Sequence, residues 1–207
     1  MIFPVSDPPL LIAISGPAGS GKTTLCEGMT DKYSRVQRVV TCTTRPPRKG
    51  EKNGVDYHFF SKDSFEDAVR RNAFIEYAKV HDRYYGTLME SITGPLQAGR
   101  DLILSIDVQG AASLRAEAAA NPVLAASLVT VFVMPENLDA IRARLAGRGT
   151  DDTAEIEKRM ETAAEEIRGW SEYDYCLISR AKEEDFRRIE SIWLSEKMRV
   201  PRLRSRQ

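Results

Sequence analysis

One stretch, Gly16-Pro17-Ala18-Gly19-Ser20-Gly21-Lys22-Thr23, constrains this chain more than any other. It fits the spacing G-x-x-x-x-G-K-[ST], in which a glycine-rich backbone curls around phosphate oxygens. Leu10 to Ser15, just before it, reads as a short buried strand. Thr24 to Tyr33, just after it, reads as a helix with Leu25 and Met29 on its inner face. The loop therefore falls at a strand-to-helix turn, the setting its chemistry requires. Gly16, Gly19 and Gly21 allow the tight path that points successive N–H groups at one anion. The positive end of the following helix adds to that field. Lys22 has the reach for β- and γ-phosphates, and the Thr23 hydroxyl can help hold Mg²⁺.

The rest of the chain reads in order. A strand is predicted at Arg38 to Thr41, then a loop from Thr43 to Gly54 rich in Pro and Gly. Within it Arg45 and Arg48 flank a rigid Pro46-Pro47. That spacing can aim two guanidinium forks at one phosphate, and it also suits a solvated basic loop. Tyr57 to Phe60 reads as a strand, and Ser61 caps a helix from Lys62 to Arg71. Phe74 to Val80 reads as an alternating strand, with Glu76 on the face opposite Ile75 and Tyr77. Arg83 to Thr87 is expected to turn the chain. Thr87 is expected to cap the next helix, with Glu90 completing a capping box, and Gly99 to end it. Leu102 to Asp107 reads as a buried strand ending in a carboxylate, and Ala111 to Ala120 as a helix. Leu128 to Met134 is an apolar strand, and Pro135 is expected to open the helix after it. That helix should stop at Gly147-Arg148-Gly149, and another should run from Asp151-Asp152 to about Ile167. Arg142, Arg144, Arg148 and Arg159 surround this turn, as directed cations or as ordinary surface charges. Tyr175 to Ile178 reads as the last strand. Phe186, Ile189, Ile192, Trp193 and Met198 give a final helix its core face. The tail from Arg199 to Gln207, with four arginines, reads as frayed and solvated.

Strand and helix alternate through most of the chain, which implies an α/β fold. A parallel sheet should be covered on both faces, with its ligand at the carboxyl ends of the strands. Residues 41–87 form a strand-rich insertion between its halves. The length of 207 residues suits one domain. Thirty basic and thirty acidic residues balance, so no overall field draws the chain to nucleic acid or membrane. Cys26, Cys42 and Cys176 form no C-x-x-C pair and read as small apolar residues, not as a disulfide or metal set. His58 and His81 read as structural strand or turn positions. No signal-peptide pattern or apolar run of membrane length is present, so a cytoplasmic location is expected.

Several motifs together resemble the guanylate kinase family. They are Gly16 to Thr23, Thr43-Thr44-Arg45-Pro46-Pro47-Arg48 with Gly50-Glu51, Gly54-Val55-Asp56-Tyr57, and Phe74-Ile75-Glu76. They continue with Tyr84-Tyr85-Gly86-Thr87, Asp107-Val108-Gln109-Gly110, and Arg144-Leu145-x-x-Arg148-Gly149 with Lys158-Arg159. They occur in the family's order and span nearly the whole chain. The resemblance implies a three-layer phosphate-loop fold. Its core would take residues 8–40, 88–143 and 170–200, with a GMP-binding lobe at 41–87 and a helical lid at 144–169. The implied reaction is ATP + GMP to ADP + GDP, with dGMP also accepted and Mg²⁺ as cofactor, in purine nucleotide metabolism. The implied ATP contacts are Gly16, Pro17, Ala18, Gly19, Ser20, Gly21, Lys22, Thr23 and Thr24, with Arg148 from the lid. Arg45, Arg48, Tyr57 and Tyr85 match residues that hold the GMP phosphate. Glu76 and Asp107 match carboxylates that read the guanine edge, and Thr41 and Thr87 match hydroxyls there. Thr23 and Asp107 would serve the metal, the latter through water. Lys22, Arg45, Arg144, Arg148 and Arg159 would neutralise charge in the transfer. The partners implied are small-molecule nucleotides, with monomer and homo-oligomer both open.

Two positions depart from the family pattern. Ser105 stands where a second acid often precedes the Asp107 position, and Ser179-Arg180 stand where Asn-Asp often follows the last strand. Two other readings compete: an inactive phosphopeptide-binding domain of this shape, and a kinase for a sugar phosphate. An intact Lys22 and Thr23, with no adjoining interaction domain in view, count against the first. Glu76, Thr87 and Asp107 count against the second.

Overall fold

The strand β2 (Leu11–Ser15) is buried at every residue, and the fold is centred on it. The computed structural model describes residues 5–48, 50–80, 82–146 and 153–205. Before β2 lies β1 (Val5–Ser6). After it come α1 (Lys22–Lys32), β3 (Val36–Arg38), β4 (Cys42–Thr43), β5 (His58–Phe59), α2 (Lys62–Arg70), β6 (Phe74–Val80) and β7 (Arg83–Leu88). Then follow α3 (Glu90–Gln97), β8 (Asp101–Ser105), α4 (Val108–Ala120), α5 (Pro122–Ser127) and β9 (Leu128–Met134). The chain ends with α6 (Leu138–Ala146), α7 (Thr153–Ile167), β10 (Tyr175–Ile178), α8 (Lys182–Lys197) and β11 (Arg204–Ser205).

Five parallel strands form the core sheet in the order β10-β9-β2-β8-β3. Side chains of β2 alternate between its two faces, as strand geometry requires. Ile12 and Ile14 pack with Leu25, Met29, Ile189 and Trp193 under α1 and α8. Leu11 and Ala13 pack with Ile92, Leu96, Leu104, Ala111 and Leu114 under α3 and α4. These two cores make the three-layer α/β fold expected from the sequence. A second, mixed sheet has the order β5-β4-β7-β6. Its centre is aromatic: Phe65 of α2 stacks on Phe74 at 4.3 Å and on Tyr84 at 5.1 Å between ring centroids. Helix α4 packs on β6, and so joins this lobe to the core.

Several expected elements are corrected. Of the strand expected at Arg38 to Thr41 only Arg38 is in one, at the end of β3 on the core sheet; Val39 to Thr41 are the crossing to β4 on the second sheet, because the chain changes sheets there. Arg83 to Thr87 is not a turn but most of β7, and the reversal comes at Asp82, with φ of 60°. Gly86 belongs in that strand because a Cβ there would lie 2.9 Å from the Glu76 carbonyl oxygen. Thr87 is therefore a buried strand residue, and the N-cap position before α3 is Met89. Pro135 does not open α6; Asn137 caps it, accepting from the Ala140 N–H at 2.8 Å. Asp107 lies beyond the end of β8 and caps α4. Met198 is 69% exposed and leaves the core face of α8 to Phe186, Ile189, Ile192 and Trp193. Cys26 and Cys42 are buried, while Cys176 is exposed on the edge strand β10.

The tail is also not frayed over its described part. β11 pairs antiparallel with β1, so β10 is not the last strand. Arg202 donates to Glu196 at 2.6 Å and to the carbonyls of Ala126 and Leu128 at 2.6 and 2.9 Å. His81, Arg148 and the turn at 147–149 lie outside the described residues, as do Asp151 and Asp152.

Candidate active site

The phosphate loop leaves the carboxyl end of β2. Gly16, Gly19 and Gly21 have φ of 135°, 82° and 104°, a region that glycine enters without steric cost. Space adds a second demand at Gly16, where a Cβ would lie 2.5 Å from the Val133 carbonyl oxygen of β9. The Ser20 N–H closes the turn by donating to the Pro17 carbonyl at 3.1 Å. Lys22 opens α1, and its ammonium arches back over the loop to the carbonyls of Gly16 and Pro17 at 2.7 and 2.9 Å. Thr23 and Thr24 are exposed on the first turn. Among the described residues no side chain caps α1 at Gly21, and the buried Ser20 hydroxyl has no hydrogen-bond partner. Helix N–H groups without a cap and a buried hydroxyl without a partner both suit an anion with several oxygens.

A cleft of about 310 Å³ adjoins the loop, lined by Gly19, Gly21, Thr24, Leu25, Arg180, Lys182 and Asp185. Asp185 shapes its far wall by accepting from the Ser179 hydroxyl at 2.8 Å and the Arg180 N–H at 2.9 Å. The departure at Ser179-Arg180 thus lies beside the loop, held by an aspartate that the sequence reading did not single out.

On the second lobe, Arg45, Tyr57 and Tyr85 come together. The Arg45 guanidinium lies 5.5 Å from the Tyr57 ring centroid, and Tyr57 meets Tyr85 edge-on at 6.4 Å. Arg48 is exposed on the same loop. Glu51 accepts from Arg45 Nη2 at 2.8 Å, and this bond holds its carboxyl below the ordinary value. Thr41 is half-buried just before β4, and its carbonyl accepts from the His58 N–H at 2.8 Å.

Two carboxylates converge between the lobes. Glu76 Oε1 accepts from the Thr87 hydroxyl at 2.6 Å. The pairing of β6 with β7 is irregular between Phe74 and Glu76, and such a bulge re-aims the side chain at its site. Asp107 Oδ1 accepts from the Gly110 N–H at 2.7 Å. A Cβ on Gly110 would stand 3.2 Å from Glu76 Oε2, so the Glu76 carboxylate lies against the first turn of α4. Burial pushes the Glu76 carboxyl up to about 7; the Thr87 bond draws it down and the Asp107 charge pushes it further up.

The helix α7 reaches the phosphate loop. Its Met160 and Ala163 pack with Ile141 of α6, and Ala18 of the loop packs against them. Arg159 is half-buried on α7, and Arg144 falls on α6. Glu166, one turn beyond Ala163, is also half-buried. Burial raises its carboxyl, the Lys22 charge lowers it and the Asp107 charge raises it. Nothing in the local sequence signals Glu166, because only the packing of α7 brings it towards the loop.

The comparison with known families agrees with this geometry. A family model described as guanylate kinase matches residues 9–196. The chain belongs to the guanylate kinase family. A guanylate kinase of Latilactobacillus sakei is 42% identical over 195 residues, covering 94% of this chain and 93% of that protein. One from Hydrogenovibrio crunogenus is 40% identical over 187 residues, covering 90% and 88%. The crystal structure of guanylate kinase from Anaplasma phagocytophilum superposes with a TM-score of 0.77 at 26% identity, covering 96% of this chain and 92% of that one.

Proposed function

We propose that this chain transfers the γ-phosphoryl group of ATP to GMP or dGMP, giving ADP and GDP. The observation that carries the choice of acceptor is the pair of carboxylates, Glu76 and Asp107, meeting at the first turn of α4. Guanine presents N1–H and an exocyclic amino group as donors, and a carboxylate accepts both. Its O6 acceptor suits the hydroxyls of Thr41 and Thr87. Adenine would turn the N1 lone pair towards a carboxylate, and sites built on such pairing discriminate by about 10⁴-fold or more.

On this reading the loop from Gly16 to Thr24 receives the ATP phosphates, and the cleft lined by Arg180 and Lys182 receives the nucleoside. Lys22 exchanges its carbonyl contacts for the β- and γ-phosphates. Among the described residues no three His, Cys, Asp or Glu side chains gather as a metal cage. The oxygen donors of Thr23 and, through water, Asp107 suit Mg²⁺, which typically keeps phosphate and water ligands. Bound there, the ion would draw charge from the phosphate oxygens. Ser105 leaves Asp107 as the carboxylate nearest that role on its own segment. Arg45 and Arg48, with Tyr57 and Tyr85, hold the acceptor phosphate in line. Arg144, Arg148 and Arg159 act from the lid on the transferring group. The acceptor oxygen is already nucleophilic, so no general base is required; positioning and charge neutralisation lower the barrier.

The lobe at 41–87 and the lid at 144–169 close on the core. Gly50 and Gly54, both at positive φ in the loop between β4 and β5, supply hinges for the lobe. Cations spread over three segments repel one another when the site is empty, and two nucleotides reverse that balance. The described helices include none long and apolar enough to cross a membrane, and a cytoplasmic role in purine nucleotide metabolism fits the reaction. Chromatography of a mixture of ATP, Mg²⁺, GMP and the protein tests the reading. GDP and ADP should form in equal amounts; ADP without GDP would reject it.

A further inference from the structure

We infer that Glu51 is a positioning residue, which sets the two acceptor-phosphate arginines in register with each other. The inference rests on the proposed role of Arg45 and Arg48 and assigns a part to a carboxylate that reading leaves unused. Glu51 divides its two oxygens between the arginines. Oε1 accepts from Arg45 Nη2 at 2.8 Å, and Oε2 accepts from the Arg48 backbone N–H at 2.6 Å. The Glu51 N–H in turn donates to the Arg48 carbonyl at 3.1 Å. One side chain thus ties the guanidinium of the first arginine to the main chain of the second.

The surroundings separate this pair from an ordinary surface ion pair. The Arg45 and Glu51 side chains are only 14% and 19% exposed, whereas solvent-exposed pairs contribute little. The Arg45 guanidinium is also fixed from its other sides. Nη1 donates to the Pro46 carbonyl at 2.8 Å, and the Tyr57 and Phe59 rings lie 5.5 and 5.9 Å from its carbon. At the loop's base the Arg45 N–H donates to the Thr43 hydroxyl at 3.1 Å. The described residues between Thr44 and Gly50 include no helix or strand to hold the two arginines. Glu51 provides the cross-link, which fixes the fork in advance and spares the ordering cost of phosphate binding.

Charge alone predicts the opposite effect. A carboxylate beside Arg45 offsets its positive charge and competes with phosphate, so a purely electrostatic role would make Glu51→Gln bind GMP more tightly. Positioning predicts weaker binding, confined to the phosphate. The test is calorimetric titration of GMP and of guanosine into the full chain and its Glu51→Gln and Glu51→Ala variants, with ATP affinity and thermal melting as fold controls. Glu51→Ala should weaken GMP about ten- to a hundredfold while guanosine changes by less than about twofold. Glu51→Gln keeps one acceptor and should fall between. Tighter GMP binding by Glu51→Gln would overturn the inference, as would equal weakening of GMP and guanosine. If the unmodified chain binds neither ligand, the acceptor assignment itself fails and takes the inference with it. If that chain binds GMP and the variants match it, only the role of Glu51 fails.

Discussion

The Thr87 hydroxyl donates a 2.6 Å hydrogen bond to Glu76, whose carboxylate lies against the first turn of α4 that Asp107 caps. Burial there raises the Glu76 carboxyl from 4.5 to about 7. A raised carboxyl contributes stability that is fully present below its unfolded value and lost as pH rises through its folded value. A shift of this size corresponds to roughly 3 kcal/mol. Thermal melts should therefore show Glu76→Gln gaining stability relative to the unmodified chain at about pH 8, with the difference vanishing near pH 4. The same substitution should weaken GMP use far more than ATP binding.

The ionised carboxylate is the form that accepts guanine's two donors. The KM for GMP should accordingly fall as pH rises from about 6 to about 8, while the KM for ATP stays nearly level. A parallel change in both constants would point away from Glu76 as the titrating group.

Lys22→Ala should leave the circular dichroism spectrum unchanged and reduce turnover by at least about 10²-fold, the scale for losing a donor aimed at transition-state charge. Near-normal turnover in a folded variant would exclude a phosphate-loop mechanism.

Much of this was legible in the chain itself. The phosphate loop announces its own strand and helix, and Phe74 to Val80 is a strand with the bounds its alternation suggests. Thr87 was less legible because Gly86 beside it reads as a turn, whereas the glycine is there to let β6 and β7 approach. The tail misleads for a similar reason. Arg199 and Arg202 look solvated until Glu196 is found beneath them, fully buried. Glu51, Glu166 and Asp185 carry no local signal for their contacts, which depend on the folded loops and on helix packing.

That tail gives a stability prediction. Burial pushes the Glu196 carboxyl up, but the Tyr175 hydroxyl at 2.5 Å and the Arg202 guanidinium outweigh it, and the group sits below its ordinary value. Arg202→Ala would leave a buried carboxylate short of a partner, at a cost of about 3 kcal/mol. Denaturant unfolding should record that loss, and turnover at low temperature should be preserved, because Arg202 binds α5 and β9 rather than the site.

At Gly16 a methyl group meets both a φ of 135° and the Val133 carbonyl oxygen at 2.5 Å. Gly16→Ala should destabilise the chain by about 1–3 kcal/mol and weaken ATP more than GMP, a pattern that paired titrations would resolve.

The most direct measurement is ADP release from ATP with each nucleoside monophosphate in turn. GMP and dGMP should be used well, and AMP, CMP and UMP should be slower by about 10⁴-fold. AMP turned over at a rate like that of GMP would contradict the assignment of Glu76 and Asp107 as readers of the guanine edge.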